Sequence, residues 1–111
     1  GATCATDVKN YPEDSFENMA KISKNTNFNI PYLFDETQEI AKKYKAECTP
    51  EFYLFNKNLK LVYRGRMDES SPGSSIQPSG EDLRNAINNL LTNQKISSEQ
   101  LPSMGCNIKW K

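Results

Sequence analysis

The sequence predicts an α/β domain, and three observations carry that reading. A helical stretch stops ahead of Cys48-Thr49-Pro50, and Phe52-Tyr53-Leu54-Phe55 follows with apolar residues on both alternating faces, the pattern of an interior strand covered by helices. A short polar turn, Asn56-Lys57-Asn58, then leads into a second β-run, which should pair antiparallel with the first. Leu83, Ala86, Ile87, Leu90 and Leu91 recur at helical spacing and form one apolar stripe. Pro50 at the opening of a buried strand has no N–H for a ladder, so its place needs a reason. A cis Thr49–Pro50 bond is one: it turns the chain sharply and leaves the preceding peptide groups free to pair with a visiting strand.

The other elements follow in chain order. Residues 7–13 read as a loop ending near Pro12. Asp14 or Ser15 caps a helix with Phe16, Met19, Ala20 and Ile22 on its apolar side, ending in Asn25-Thr26-Asn27. Asn29 to Phe34 is an extended piece that Pro31 confines to an edge or a strand start. Asp35 opens a second helix, with Gln38 as its capping-box partner and Ile40, Ala41 and Tyr44 as its stripe. The second β-run, Leu59 to Gly65, places Leu59, Leu61 and Tyr63 on one face and Lys60, Val62 and Arg64 on the other, as an edge strand would. Residues 66–80 are loop, and Ser79 with Asp82 starts the last helix. Beyond Thr92 the tail has no regular pattern, and Trp110 should pin it through its apolar area.

Composition sets the functional bounds. A chain of 111 residues suits one domain with a modest core. Charged residues make up 25% and mean hydropathy is −0.76, a polar globular chain with no apolar run long enough to span a bilayer. Lys plus Arg equals Asp plus Glu at 14 each, so charge gives no argument for nucleic acid or an anionic membrane as partner. Three cysteines, no histidine and no C-x-x-C argue against a disulfide framework and a tetrahedral metal site. No cofactor is expected. Free thiols fit a reducing compartment, here expected to be the cytoplasm.

Five segments taken together carry a resemblance. They are Asn10-Tyr11-Pro12-Glu13-Asp14-Ser15, Tyr32-Leu33-Phe34-Asp35-Glu36-Thr37-Gln38, Cys48-Thr49-Pro50-Glu51-Phe52, Val62-Tyr63-Arg64-Gly65-Arg66-Met67-Asp68 and Gly105-Cys106-Asn107-Ile108-Lys109-Trp110-Lys111. From about Asp7 to Lys111 the chain resembles the C-terminal portion of a thioredoxin-like redoxin family, the alkyl hydroperoxide reductase/thiol-specific antioxidant-like group. The resemblance implies a thioredoxin-like α/β fold, a small mixed β-sheet flanked by helices, without the N-terminal βα part and its redox cysteine motif. It divides the chain into residues 1–6, an added tag or cloning remnant, residues 7–94, a partial domain, and residues 95–111, a tail packing on it.

The function implied is that of a thiol–disulfide oxidoreductase or peroxiredoxin-like antioxidant domain in cell redox homeostasis, inactive as this chain. The rival is a non-catalytic thioredoxin-fold interaction module or fragment. Protein thiols, disulfides or a peroxide would be the partners. Thr49 and Pro50 are the candidate substrate-binding residues, or else a structural bend only. Cys48 and Cys106 are the candidate catalytic thiols. Cys48 is either an auxiliary thiol beside the groove or a small filler of a connection, with Glu47 and Glu51 raising its pKa. Cys106 is either a resolving thiol on a folded-back tail or a packed tail residue. Arg64 and Arg66 either orient a peroxide or carboxylate or stay solvated. The Phe52–Phe55 strand is expected to lack a neighbour, and so to dimerise, exchange segments or be covered by residues 1–6 or 95–111.

Overall fold

Ser15 starts the first helix as the sequence predicts: its Oγ accepts the Asn18 N–H, and α1 runs Phe16–Asn25 after a single 3-10 turn at Pro12–Asp14. The computed structural model describes residues 2–25, 30–71 and 73–111, so the expected helix end beyond Asn25 and the expected strand position Asn29 lie outside the described residues. Two compact units are present, Gly1–Ala46 with Ile108–Lys111, and Glu47–Asn107. Helices and short strands are interspersed along the chain, an α/β arrangement.

In the first unit, β1 (Ala2–Cys4) and β2 (Tyr32–Phe34) form a parallel pair. Residues expected as a tag thus include a strand. Pro31 sits just before β2, where a missing N–H costs nothing, and its carbonyl accepts the Ala2 N–H at 2.8 Å. The second helix differs from expectation. α2 is Glu39–Lys43 only, because Gln38 takes a left-handed φ of 63° and the Asp35 carboxylate accepts from Ala41 N–H at 2.9 Å instead of capping the next turn. Gln38 does not reach back to close a capping box. Only 1% exposed, its side chain donates to Ala5 O and Lys109 O and accepts from Lys111 N–H. Those bonds and the buried Ile108 hold the end of the tail in this unit, while Trp110 stays 42% exposed under the Lys42 ammonium. A carboxamide is the pin, rather than the indole.

In the second unit, β3 (Cys48–Thr49) pairs with β6 (Cys106–Asn107), and β4 (Phe52–Phe55) pairs with β5 (Leu61–Gly65), both antiparallel. The described strands therefore form three two-stranded ladders where one mixed sheet was expected. The turn between β4 and β5 is organised by Asn56, whose Oδ1 accepts from the Asn58 and Lys60 N–H groups. The left-handed position falls on Leu59 (φ 61°), which is 84% exposed and not part of the strand. A bulge between Leu54 and Phe55 compensates in the register. The β4 residues are only half-buried and Phe55 is exposed, short of the fully interior strand expected.

α3 (Glu81–Leu91) packs on β5, with Ala86 and Tyr63 as buried apolar residues of this unit. Its start is not the expected Ser79/Asp82 box. Gly80 occupies the cap at φ 70°, and the Asp68 carboxylate accepts from the Ser79 and Gly80 N–H groups at 2.9 and 2.7 Å. Ser70 donates to the same carboxylate through both its N–H and its hydroxyl. Asp82 turns instead to Arg66 at 2.5 Å. Leu91, assigned to the buried stripe, is 75% exposed at the helix end.

Candidate functional site at Cys48, Pro50 and the tail

The Thr49–Pro50 peptide is cis. Immediately before it, β3 is already paired. Cys48 stands opposite Asn107 and Thr49 opposite Cys106, so the tail occupies the backbone edge that the sequence assigned to a visiting strand. The register explains Gly105. A Cβ built there would lie 2.1 Å from Thr49 O and 2.8 Å from Thr49 C, closer than any side chain tolerates. Only glycine lets the tail approach the Thr49–Pro50 peptide this closely.

Three of the four predicted site residues, Cys48, Thr49 and Cys106, therefore meet on one ladder, and Pro50 follows it directly. The two thiols do not meet directly. Residues opposite one another share a face of a ladder and neighbours alternate, so Cys48 and Cys106 project to opposite faces. Both are free thiols, as is Cys4 in β1. Joining the two sulfurs requires β6 to leave β3, because a disulfide demands converging Cβ vectors.

Their environments differ. Cys106 is exposed. Cys48 is half-buried, and its Sγ donates to Ser103 O at 3.5 Å. Burial pushes the Cys48 thiol above its ordinary pKa, and the carboxylates of Glu51 and Glu47 add to this. The Gly105 N–H and the Arg64 cation pull less strongly the other way. Cys48 is a protonated thiol at neutral pH.

Arg64 is not a solvated edge residue. Its Nε donates to Glu51 Oε1 at 3.0 Å, and its guanidinium lies 5.5 Å from the Tyr53 ring centroid. Burial opposes the Arg64 charge and the Glu51 carboxylate outweighs it. Glu51 also accepts the Glu47 N–H, so one carboxylate ties the residues on both sides of Cys48–Pro50 to β5. Arg66 is likewise paired, with Asp82. Neither arginine is posed toward an open groove.

Sequence reasoning missed the Glu51–Arg64 pair and the tail ladder. A signal for the second existed: an isolated glycine beside a short polar strand marks close backbone approach. Among the described residues no cluster of three or more Cys, Asp or Glu is placed to hold a metal, and no helix is long and apolar enough to cross a membrane.

No protein-family model matches the chain, and no curated protein does. Solved structures do. A hypothetical protein of Sinorhizobium meliloti 1021 aligns over 98% of this chain at 38% identity with a TM-score of 0.93. An uncharacterized conserved protein of Geobacillus kaustophilus aligns over 98% at 49% identity, also with a TM-score of 0.93. The chain spans 60% and 58% of the lengths of those two proteins.

Proposed function

We propose that this chain is the substrate-groove portion of a thioredoxin-like thiol–disulfide oxidoreductase or peroxiredoxin-like protein, with Cys106 as its resolving thiol. The observation that carries the reading is the β3–β6 ladder, which puts an exposed cysteine opposite Thr49, next to Pro50. In this reading an attacking thiolate comes from the part of the parent protein outside this chain, in keeping with the greater length of the two solved relatives.

With a peroxide ROOH, that thiolate forms an S–O bond as the O–O bond breaks, and ROH leaves after taking a proton. Sulfur has then lost the two electrons that the peroxide gained. The Cys106 sulfur next attacks the sulfenic acid, an S–S bond forms and water departs. Two equivalents of an external thiol then return the disulfide to two thiols and leave joined as a disulfide. With a protein disulfide the same residues act by exchange: one S–S bond forms, one breaks, and the leaving thiolate is protonated. The Thr49–Pro50 loop shapes the groove, and Cys48 stays a protonated bystander.

The test uses the chain by itself. Insulin reduction with dithiothreitol should not exceed the dithiothreitol background, because the chain has no C-x-x-C and Cys48 is protonated. Cys106 should react with an aromatic disulfide at least about tenfold faster than Cys48. Insulin reduction at the rate of an intact thioredoxin, or Cys48 reacting first, would end this reading. A second reading, a non-catalytic module that takes up an extended chain, is favoured by one observation: the edge before Pro50 already binds a strand.

A further inference from the structure

The turn between β4 and β5 leaves apolar side chains open to water. Leu59 is 84% exposed, and Phe55 and Leu61, opposite each other where the two strands meet the turn, are exposed as well. Holding a leucine at φ 61° costs backbone energy that no packing returns. The backbone around it is nonetheless closed. Asn56 N–H donates to Lys60 O and Leu59 N–H to Asn56 O, each at 2.9 Å, while Asn56 Oδ1 accepts from the Asn58 and Lys60 N–H groups. These four N–H groups do not need water, the condition for entering an apolar medium. The outer edge of β5 is closed too: the Gln100 carboxamide donates to Val62 O and accepts from Arg64 N–H, each at 2.9 Å. On that side a partner meets side chains and not an open strand edge.

Net charge is zero over the whole chain, and the hairpin departs from it. From Phe52 to Met67 there are four cations, Lys57, Lys60, Arg64 and Arg66, and no acidic residue. Glu51 and Asp82 neutralise the two arginines. Lys57 and Lys60, on either side of Leu59, are exposed and have no ion-pair partner among the described residues. A leucine between two such ammonium groups suits a protein interface poorly, because lysine is depleted there and leucine seldom carries the binding energy. It suits a surface that is negative outside and apolar just beneath, whose fluid chains accept an apolar side chain without a matching pocket.

We propose that the β4–β5 turn is a docking site for an anionic lipid bilayer. Leu59 enters the boundary between headgroups and acyl chains, with Phe55 and Leu61 behind it, and Lys57 and Lys60 lie against the negative headgroups. The association is peripheral and reversible, since so small an apolar area does not anchor a chain permanently.

Co-sedimentation of the full chain with vesicles tests this. The chain should pellet with vesicles of equal parts phosphatidylglycerol and phosphatidylcholine, and not with phosphatidylcholine alone. The bound fraction should fall as salt is raised. Leu59→Asn puts in a residue that tolerates a positive φ, and it should weaken partitioning about tenfold. Lys57→Gln together with Lys60→Gln should weaken it about thirtyfold. No pelleting with the anionic vesicles, or pelleting that Leu59→Asn leaves unchanged, overturns the proposal. Equal binding to soluble polyglutamate, with the same dependence on the two lysines, also overturns it and makes an acidic protein face the partner.

A second measurement locates the contact. A spin-labelled lipid in anionic bicelles should broaden the Leu59 amide signal before those of α3. Broadening that begins in α3 overturns the proposal as well.

Discussion

Asp68 does at a distance what a helix cap does locally. Hydrogen bonds from Ser70 and from the Gly80 and Ser79 N–H groups stabilise its ionised form, and its pKa falls to about 2. A carboxylate whose pKa is lowered by folding adds stability above its unfolded value, near 3.9, and loses it as pH falls toward the folded value. Asp68→Asn should therefore lower Tm at pH 7 by several degrees. The gap from the unmodified chain should close between about pH 4 and pH 2 in thermal melts. A constant gap over that range would show that the carboxylate's charge is not what holds the α3 start.

Leu59 gives the opposite case. A leucine at φ 61°, with its side chain in water, contributes strain and no packing. Leu59→Gly should raise unfolding stability by about 0.5–1 kcal/mol in urea titrations. A loss of stability would mean that the exposed side chain packs after all.

At the scale of elements, what the sequence made legible was periodic. The stripe from Leu83 to Leu90 and the Phe52–Gly65 hairpin repeat a spacing over several residues, and both are present. β3 and β6 have two residues each, too few for any period. Their pairing is fixed by Gly105 and by contacts far apart in the chain. The predicted capping boxes failed for a related reason: Asp35 and Asp68 satisfy N–H groups that no three-residue spacing selects.

Gln38 was the least legible of all, a polar residue on a predicted helix start that proved to be the most buried large side chain among the described residues. Gln38→Ala would orphan Ala5 O and Lys111 N–H and leave Lys109 O with the Asp7 N–H alone. It should cost about 2–3 kcal/mol and speed amide exchange at Lys111. Gln38→Gly, which removes the same bonds while easing φ, should recover part of that cost.

At the scale of the whole molecule, each unit has its own set of buried residues, and the first has fewer apolar ones among the described residues. Ile108 is its single buried apolar side chain among the described residues, against Tyr63 and Ala86 in the second. The one tryptophan, Trp110, belongs to the first unit, and α3 to the second. In urea, the Trp110 fluorescence transition should fall at a lower concentration than the loss of amide-exchange protection in α3. Coincident curves would mean that the two units unfold as one.

The Gln100 carboxamide has a consequence for solubility. An open strand edge is a template on which further chains can add by hydrogen bonding, and Leu61 on β5 is exposed enough to reward such stacking. By filling Val62 O and Arg64 N–H with a side chain, Gln100 ends the sheet without extending it. Gln100→Leu would leave the fold's backbone unchanged and expose that template. The chain should then form thioflavin-binding fibrils at concentrations where the unmodified protein stays clear.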